Sequence, residues 1–314
     1  MNGIKLSILM TSYNYGHYLG EALEAICSQC HDNWEIIVID DASTDNSLEI
    51  INQFRKKYTN LRLIKNEHNR GVLYSGSRIL AEARGEYIYS AAADDKVLPG
   101  FFEKSMQLLS EYPEAGLCCS DSLLNYEGKT IKEELGLSKV PHFFPPVEVL
   151  QAYKKSTVTP IKTYTAIVKR SAINSAGGYL PELKWSCDLF AQNVIAFRYG
   201  FCYIPETLVM YRQHAAQYGA KQEGQWKQEK AVIKTMLGLI EDERYRDTKP
   251  FFKKSASLSI SPWQAMLVVV KNKKYWGYLS SHLFSAAFTD LAKQKIKRFI
   301  PEKIWDNLKK LVKK

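Results

Sequence analysis

The 314-residue chain is 46% hydrophobic and 24% charged, which is ordinary for a globular protein, and its length allows one large domain or two smaller ones. Its net charge of +10 is uneven, because residues 251–314 hold 14 Lys and Arg against 3 Asp and Glu. No apolar run approaches the ~20 residues that a membrane-spanning helix needs, and no signal peptide is expected.

Strands and helices alternate over residues 5–120. Apolar segments predict strands at residues 5–10, 34–39, 61–64, 87–91 and 115–120. The segments between them carry apolar residues at helical spacing. Cys27 and Cys30 lie on the first helical pattern, so we expect buried, reduced thiols, with a redox or metal pair as the alternative. The alternation predicts an α/β fold with a Rossmann-like, mostly parallel sheet that is flanked by helices.

The pattern is looser after residue 122. We expect a loop or lid over residues 125–146. Further helices are predicted at residues 147–153 and 188–197, and strands at residues 163–168, 202–204 and 208–211. From about residue 221 the chain is predicted to be helical to its end. The chain therefore divides into residues 1–122, residues 123–220 and a helical, basic C-terminal extension of residues 221–314.

Acidic pairs follow two of the predicted strands. Asp40 and Asp41 come at the end of the second strand, and Asp94 and Asp95 follow the fourth. Ligands of open α/β sheets bind just beyond the carboxyl ends of parallel strands. Carboxylates at that place can hold a hard metal ion and, through it, a phosphate. The two pairs therefore indicate an enzyme that handles a nucleotide-linked substrate.

Several short motifs occur in an order and spacing that are specific together, although each is weak alone. They are Ser7-Ile8-Leu9-Met10-Thr11-Ser12-Tyr13-Asn14, Ile39-Asp40-Asp41-Ala42-Ser43-Thr44-Asp45, Asn69-Arg70-Gly71, Ala83-Arg84-Gly85-Glu86-Tyr87-Ile88, Ala93-Asp94-Asp95 and Gly177-Gly178-Tyr179. With them, residues 4–215 resemble the family-two glycosyltransferases that have the GT-A fold. The resemblance implies an inverting, metal-dependent hexosyltransferase with a nucleotide-sugar donor, expected to be UDP-linked. It also implies that residues 1–122 bind this donor and residues 123–220 bind the acceptor.

The resemblance assigns particular residues to the nucleotide sugar. They are Thr11, Tyr13, Asn14, Asp41, Arg70, Asp94 and Arg212. Tyr13 would stack on the base, or else pack on the sheet edge as a loop aromatic. Asp41 would accept a hydrogen bond from a uracil N–H. Arg70 and Arg212 are candidates for the phosphates, with a solvated surface role as the alternative for Arg70.

The resemblance also implies a metal site. Asp94 and Asp95 match the family's acidic motif, whose commonest form has a further carboxylate where this chain has Ala92. Mn²⁺ or Mg²⁺ held there would neutralise the charge of the departing diphosphate. His214 would complete the metal site or contact the diphosphate, or else be a loop histidine without a ligand. Which of the two aspartates binds the metal is left open by the sequence.

Asp188 is the candidate general base. The family places an acidic residue at the start of the corresponding helix, often after a Glu, and Cys187 stands at that preceding position here. As the base, Asp188 would take the proton of an acceptor hydroxyl while that oxygen attacks the anomeric carbon. Its alternative role is that of a helix N-cap. Trp185 is a candidate platform for an acceptor sugar, with core packing as the alternative.

The basic C-terminal extension indicates a negatively charged partner. From Pro301 onward, apolar residues form one stripe with lysines around it, which fits a helix that lies on an anionic membrane surface. The alternative is packing on the catalytic part or on a second subunit. No nucleic acid is expected, because no recognition motif accompanies the charge. We therefore expect a cytoplasmic protein, peripheral on the inner face of the cell membrane, that acts on a glycan or lipid-linked acceptor.

Two other functions compete with this interpretation. A sugar nucleotidyltransferase would need a phosphate-binding loop rich in glycine and lysine after the first strand, and residues 11–16 lack both a lysine and repeated glycines. A catalytically silent binding module of the same fold is suggested only by Ala92 and Cys187.

Overall fold

The acidic pairs of the sequence lie at the carboxyl-terminal edge of one β-sheet. The computed structural model that shows this describes residues 4–29, 31, 33–126, 128–155, 161–214, 217 and 226–299, with side chains up to residue 292. The described residues group into two compact units. One lies within residues 4–152 and 161–217, and the other within residues 153–155 and 226–299. The described residues of the predicted parts 1–122 and 123–220 thus lie almost entirely in the first unit.

Four parallel strands form the first half of the sheet. They are β1 (Leu6–Ser12), β2 (Trp34–Asp40), β3 (Leu61–Lys65) and β4 (Tyr87–Ala92). Helices α1 (Gly16–Cys27), α2 (Ser47–Lys57) and α3 (Val72–Ala81) connect them. The spatial order is β3-β2-β1-β4. Every residue of β2 is buried, because both faces of this part of the sheet are covered.

The second half of the sheet adds antiparallel pairs. Its strands are β5 (Lys96–Val97), β6 (Leu117–Tyr126), β7 (Lys129–Glu133), β8 (His142–Phe144), β9 (Ala166–Lys169) and β10 (Phe201–Gln213). Its helices are α4 (Phe101–Glu111), α5 (Pro146–Lys154), α6 (Arg170–Ser175) and α7 (Cys187–Tyr199). β9 joins β4 to β6 by antiparallel pairing, and β10 runs parallel to β6. The predicted α/β fold, with helices flanking a central sheet, is confirmed.

Two expectations about the second half are wrong. The expected loop over residues 125–146 is a hairpin of β6 and β7, followed by β8, which pairs with β10. β7 has Ile131 as its one apolar residue and is mostly exposed, so it carries no apolar run that would reveal it. The two short strands expected at residues 202–204 and 208–211 are one strand, β10. Its register shifts between Ile204 and Val209, a stretch that contains Pro205, as is usual where proline occurs inside a sheet.

The described cysteines lie in the core. They are Cys27, Cys118, Cys119, Cys187 and Cys202, and all are buried. Cys30 lies outside the described residues. Reduced, buried thiols at these positions agree with the expectation from the sequence.

The second unit is helical over most of its described length. Its helices are α8 (Trp226–Ile240), α9 (Lys249–Lys254), α10 (Pro262–Val270) and α11 (Ser281–Phe299). The predicted helical C-terminal region is therefore confirmed, while the helix predicted from Pro301 onward lies outside the described residues. Among the residues that the structure describes, no helix has both the length and the apolar character that crossing a bilayer requires.

Candidate active site

The loops after β1, β2 and β4 meet at one edge of the sheet. β1 lies between the other two strands, with Ser12 opposite Asp40 of β2 and Thr11 opposite Ala92 of β4. Because the three strands are parallel, the loops that follow residues 12, 40 and 92 lie side by side. The predicted nucleotide residues Tyr13 and Asp41 are therefore brought close to the predicted metal residues.

Asn14 joins the loop after β1 to the loop after β2. Its backbone has a left-handed conformation with φ 56°, which Asn adopts more readily than most residues. Its side-chain Oδ1 accepts a hydrogen bond from the backbone N–H of Thr44 at 2.8 Å. Its own N–H donates to Ser43 Oγ at 3.0 Å. The structure thus gives Asn14 a loop–loop contact, and its contact with the nucleotide sugar stays a prediction.

Asp41 is buried and holds the turn at residues 69–71. Its Oδ1 accepts hydrogen bonds from the N–H of Arg70 at 2.9 Å and from Asn66 Nδ2 at 2.5 Å. Its Oδ2 accepts from the N–H of Gly71 at 2.8 Å. Burial acts to raise the pKa of Asp41, but these hydrogen bonds outweigh it and hold the pKa below its ordinary value. Because the chain's own donors reach both oxygens, the predicted hydrogen bond from uracil would share one of them.

Two other predicted nucleotide residues lie at the surface of this edge. Tyr13 is 41% exposed, so its ring is accessible to a base. The guanidinium of Arg70 lies over the ring of Tyr74, 4.2 Å from its centroid, and Nη1 is 3.3 Å from His68 Nε2. Stacking by Tyr13 and phosphate binding by Arg70 remain predictions that this exposure permits.

Asp94 and His214 lie in contact at the same edge. His214 Nε2 is 2.9 Å from Asp94 Oδ2. Gln217 Nε2 donates to the same oxygen at 3.3 Å, and the side chain of Tyr15 is also hydrogen-bonded to Asp94. The side chains of His214 and Asp94 are 19% and 8% exposed, so the pair is shielded but still accessible.

Asp95 and Arg212 lie behind this pair. Asp95 Oδ1 accepts a hydrogen bond from the N–H of Arg212 at 2.9 Å. Burial, together with the neighbouring charge of Asp94, raises the pKa of Asp95 to about 8. The guanidinium of Arg212 donates to the carbonyl oxygen of Asp94 at 2.7 Å and pairs with Glu21. These contacts join Asp95 and Arg212 to the Asp94 loop. The metal contact predicted for Asp95 and the phosphate contact predicted for Arg212 stay predictions.

The donor set of this edge fits a divalent cation. Across the described part of the chain, no three His, Cys, Asp or Glu side chains form a metal site by themselves. Asp94 and His214 nevertheless offer one carboxylate oxygen and one imidazole nitrogen in contact with each other. Mg²⁺ and related ions in nucleotide sites are commonly held by one or two protein side chains, with phosphates and water completing the shell. The pair would hold Mn²⁺ or Mg²⁺ in that way.

Asp188 is the second residue of α7, so it is not the N-cap of that helix. Its Oδ2 accepts a hydrogen bond from the Thr163 hydroxyl at 2.5 Å, and its Oδ1 accepts from the N–H of Leu189 at 2.7 Å. Gln192 Nε2 donates to Thr163 Oγ1 at 3.1 Å, which orients that hydroxyl. Burial raises the pKa of Asp188 above its ordinary value, and the hydrogen bonds from Thr163 and Leu189 act against this rise.

A cavity of about 340 Å³ opens beside Asp188. Thr11 of β1 lines it, together with residues of α3 and of the segment that leads into α7. Lys184 and Trp185 belong to that segment, and Lys184 has a strained left-handed backbone with φ 50° and ψ −126°. Such strain is often found at functional sites. The cavity therefore connects the nucleotide edge of β1 to the candidate base, within the size range of small-molecule pockets, roughly 300–1,000 Å³.

A sequence model of glycosyl transferase family 2 matches residues 7–174, which is more than half of the chain. The chain belongs to glycosyltransferase family 2. The matched region runs from β1 into α6 and contains Asp41, Asp94 and Thr163. The resemblance that the motifs indicate is thereby confirmed.

Relatives in this family align with a part of the chain. EpsE of Bacillus subtilis is 38% identical over 112 residues, which are 35% of this chain and 40% of EpsE. Glycosyltransferase GlyG of Streptococcus pneumoniae is 36% identical over 106 residues, or 34% of this chain and 35% of GlyG. TuaG of Bacillus subtilis, whose name refers to teichuronic acid biosynthesis, is 28% identical over 123 residues, or 39% of this chain and 49% of TuaG. The alignments thus span less than half the length of each relative.

Solved glycosyltransferase structures share the fold. TarS 1–349 of S. aureus, in complex with UDP-GlcNAc, superposes with a TM-score of 0.62 at 14% identity, over 90% of this chain and 83% of that chain. Mannosyltransferase PcManGT from Pyrobaculum calidifontis, in complex with GDP-Man and Mn²⁺, gives a TM-score of 0.59 at 18% identity, over 93% of this chain and 88% of that chain. At these low sequence identities, the superpositions show that this chain shares its fold with the two solved proteins.

Sequence reasoning missed three residues that position the candidate site. Thr163 was expected at the start of a strand, but it begins a short 3₁₀ turn, Thr163–Thr165, from which it reaches Asp188. Gln217 belongs to no motif, so nothing in the sequence distinguishes it from other polar loop residues. Tyr15 lies one residue beyond a recognised motif. Its position on the loop after β1, which also holds Tyr13, could have indicated a role at this site.

Proposed function

We propose that this family 2 glycosyltransferase moves a hexose from a nucleotide sugar to a hydroxyl of a glycan or lipid-linked acceptor, with inversion at the anomeric carbon. The observation that carries the proposal is the partly buried, hydrogen-bonded carboxylate of Asp188 on the wall of a ligand-sized cavity. Burial moves its pKa toward neutral pH, which suits a carboxylate that must accept a proton there.

In this proposal Asp188 takes the proton of the acceptor hydroxyl. The acceptor oxygen attacks the anomeric carbon from the side opposite the leaving group. The bond between that carbon and the diphosphate oxygen breaks, and its electron pair leaves with the nucleoside diphosphate. Thr163 keeps the carboxylate oriented during the proton transfer. Asp94 and His214 would hold Mn²⁺ or Mg²⁺. The bound ion would neutralise negative charge on the diphosphate.

The donor is proposed to be UDP-linked. Support comes from the accessible ring of Tyr13 beside the fixed carboxylate of Asp41, a pair of groups that suits a flat base with an N–H donor. TarS was solved with UDP-GlcNAc, and PcManGT with GDP-Man, so the fold accommodates more than one nucleotide. The base therefore has to be identified by experiment.

A donor screen tests the proposal. The purified chain is incubated with Mn²⁺ or Mg²⁺ and with UDP-, GDP- or dTDP-sugars, and release of the nucleoside diphosphate is measured. We expect release from UDP-sugars that chelation of the metal abolishes. Absence of release from every donor would favour the catalytically silent binding module, and donor binding measured by calorimetry would then identify its ligand.

Asp188→Asn supplies the matched test of the base. The substitution keeps the size of the side chain and removes its ability to take a proton, so we expect the transfer rate to fall by about 10²–10⁴-fold. Donor affinity and the melting temperature should stay near those of the unchanged protein. An unaltered rate would reject Asp188 as the base.

We also propose that the second unit binds an anionic membrane surface, which would bring the enzyme to a lipid-linked acceptor at the cytoplasmic face. Trp276 and Phe288 are 49% and 66% exposed, and Lys271, Lys273 and Lys274 lie in the same segment as Trp276. Exposed aromatic side chains next to lysines are typical of segments that lie in the membrane interface.

A further inference from the structure

One wall of the cavity beside Asp188 is mostly apolar and comes from α3. Val72, Gly76 and Leu80 are spaced four residues apart, so they share a face of the helix, and all three line the cavity. Leu73 of the same helix lines it as well. Ser77 lines it too, and its hydroxyl donates to the carbonyl oxygen of Leu73 at 2.9 Å. The other α3 residues that line the cavity are apolar.

Gly76 keeps this wall open. A Cβ atom placed on Gly76 would meet no heavy atom within 4 Å, and its φ is not positive. By contrast, a Cβ on Gly85 would lie 2.5 Å from the backbone nitrogen of Ser7, and one on Gly116 would lie 2.4 Å from Ile195 Cγ2. A glycine inside a helix lowers stability relative to alanine. Since neither backbone conformation nor close packing requires Gly76, its structural effect is extra space in the cavity.

The polar groups of the cavity are partly engaged with each other. The Thr163 hydroxyl donates to Asp188, and the hydroxyls of Ser90 and Tyr179 are 3.2 Å apart and share a hydrogen bond. A sugar hydroxyl that faced Val72, Gly76 and Leu80 would meet no hydrogen-bonding side chain among these three residues, although it has partners in water. A methyl group in that place would instead gain from leaving water.

We propose that the transferred hexose carries a methyl-bearing substituent, an acetamido group or a 6-deoxy carbon, and that the α3 wall around Gly76 receives this methyl group. This inference rests on the proposed glycosyltransferase function and specifies its donor. It makes Gly76 the determinant of donor size at this wall.

The test compares donors that differ only at the substituent. The unchanged protein is assayed with the UDP-linked hexose, its 2-acetamido form and its 6-deoxy form, in the glucose and the galactose series. We expect kcat/KM for at least one methyl-bearing form to exceed that for the plain hexose by roughly 10-fold or more, the discrimination that an apolar pocket gives for a single small apolar group. The two forms distinguish the acetamido from the 6-deoxy donor.

Two variants of Gly76 and one control link this preference to the wall. Gly76→Ala and Gly76→Leu should reduce kcat/KM progressively for the methyl-bearing donor, and Gly76→Leu should remove most of its roughly 10-fold advantage over the plain hexose. Gly238→Ala is the matched control, because Gly238 also lies inside a helix and a Cβ there meets no atom within 4 Å. Both alanine variants should raise the melting temperature, and only Gly76→Ala should alter donor preference.

The outcomes separate this inference from the proposed function. Nucleotide release with equal or greater kcat/KM for the plain hexose would overturn the inference and leave the glycosyltransferase function standing. Unchanged donor preference in a folded, active Gly76→Leu variant would overturn it as well. Absence of release and of binding for every donor would reject both proposals.

Discussion

Opposing effects act on the carboxyl group of Asp188. Burial disfavours its charged form and raises its pKa, while hydrogen bonds from Thr163 and Leu189 stabilise the charge and act against the rise. A general base works only when it is deprotonated. The transfer rate should therefore fall as the pH drops through the raised pKa, at a higher pH than an exposed aspartate would give.

The acidic limb of the pH profile is the pH range over which the transfer rate falls as Asp188 is protonated. Removal of the Thr163 hydroxyl should shift this limb to a higher pH. Thr163→Val takes away a hydrogen bond to a charged group, which is worth about 1.5–3 kcal/mol. Since about 1.4 kcal/mol corresponds to one pKa unit, the acidic limb of kcat/KM should shift upward by roughly one pH unit or more. The pH profile of kcat/KM measures this shift. Thr163→Ser keeps the hydroxyl and should leave the limb in place, and a limb that also stays in place for Thr163→Val would contradict the assigned contact.

Single residues show where prediction from the sequence stops. Asp41, Asp94 and Asp95 could be singled out because they follow predicted strands, and Asp188 could be singled out from the family resemblance. Their hydrogen bonds could not, because these join Asp188 to Thr163 and Asp94 to Gln217 across long stretches of chain. Such contacts form only in the folded chain, so the spacing of residues along the sequence does not predict them.

At the scale of elements, the contact between the loops after β1 and β2 depends on Asn14. Asn14→Ala removes the acceptor of the Thr44 N–H. It also places alanine, which rarely adopts a left-handed backbone, at φ 56°. A lost hydrogen bond costs about 1–3 kcal/mol when its partner is left unsatisfied, so we expect the free energy of unfolding to fall by about 2 kcal/mol. Urea denaturation measures this change.

Asn14→Gly separates the two contributions. Glycine accepts the left-handed backbone without steric cost but offers no side-chain acceptor. The stability of this variant should lie between those of Asn14→Ala and the unchanged protein if backbone conformation contributes. Equal stability of all three proteins would show that the loop–loop contact is not important for folding.

The two halves of the sheet differ in how far the sequence predicts them. β1 to β4 are short apolar runs between turn residues, so their type and order follow from the pattern. β7 is mostly polar and mostly exposed, and β10 contains a proline, so both depart from the pattern of a buried strand. Pairing between distant segments, such as β4 with β9, has no local signal at all.

At the scale of the whole molecule, the uneven charge predicts a salt-sensitive association. Residues 251–314 carry a charge of +11, which accounts for the whole net positive charge of the chain, and basic residues near an anionic surface contribute about 1 kcal/mol each. The full chain should therefore bind vesicles that contain phosphatidylserine, and rising salt should weaken this binding. Binding that neither anionic lipid nor salt affects would contradict an electrostatic contribution.

Aromatic variants test the apolar part of the same association. Phe288→Ser should weaken vesicle binding by roughly 10-fold or more, since a buried Phe side chain contributes about 1.5–3 kcal/mol. Val147→Ser is the matched control, because Val147 is 83% exposed but lies in the first unit. Equal binding by both variants would reject α11 as the membrane-facing helix. Deletion of residues 273–314 is a poorer test, since it removes the buried Tyr278 and Leu283.

Gly76 also has a consequence for protein engineering. Replacement of a helical glycine by alanine is a common route to thermostable variants, worth about 0.5–1 kcal/mol each. A selection for heat resistance alone would therefore favour Gly76→Ala and narrow the range of accepted donors without any sign of damage to the fold. Libraries built from this enzyme should keep position 76 fixed, or should vary it deliberately when a different sugar is wanted.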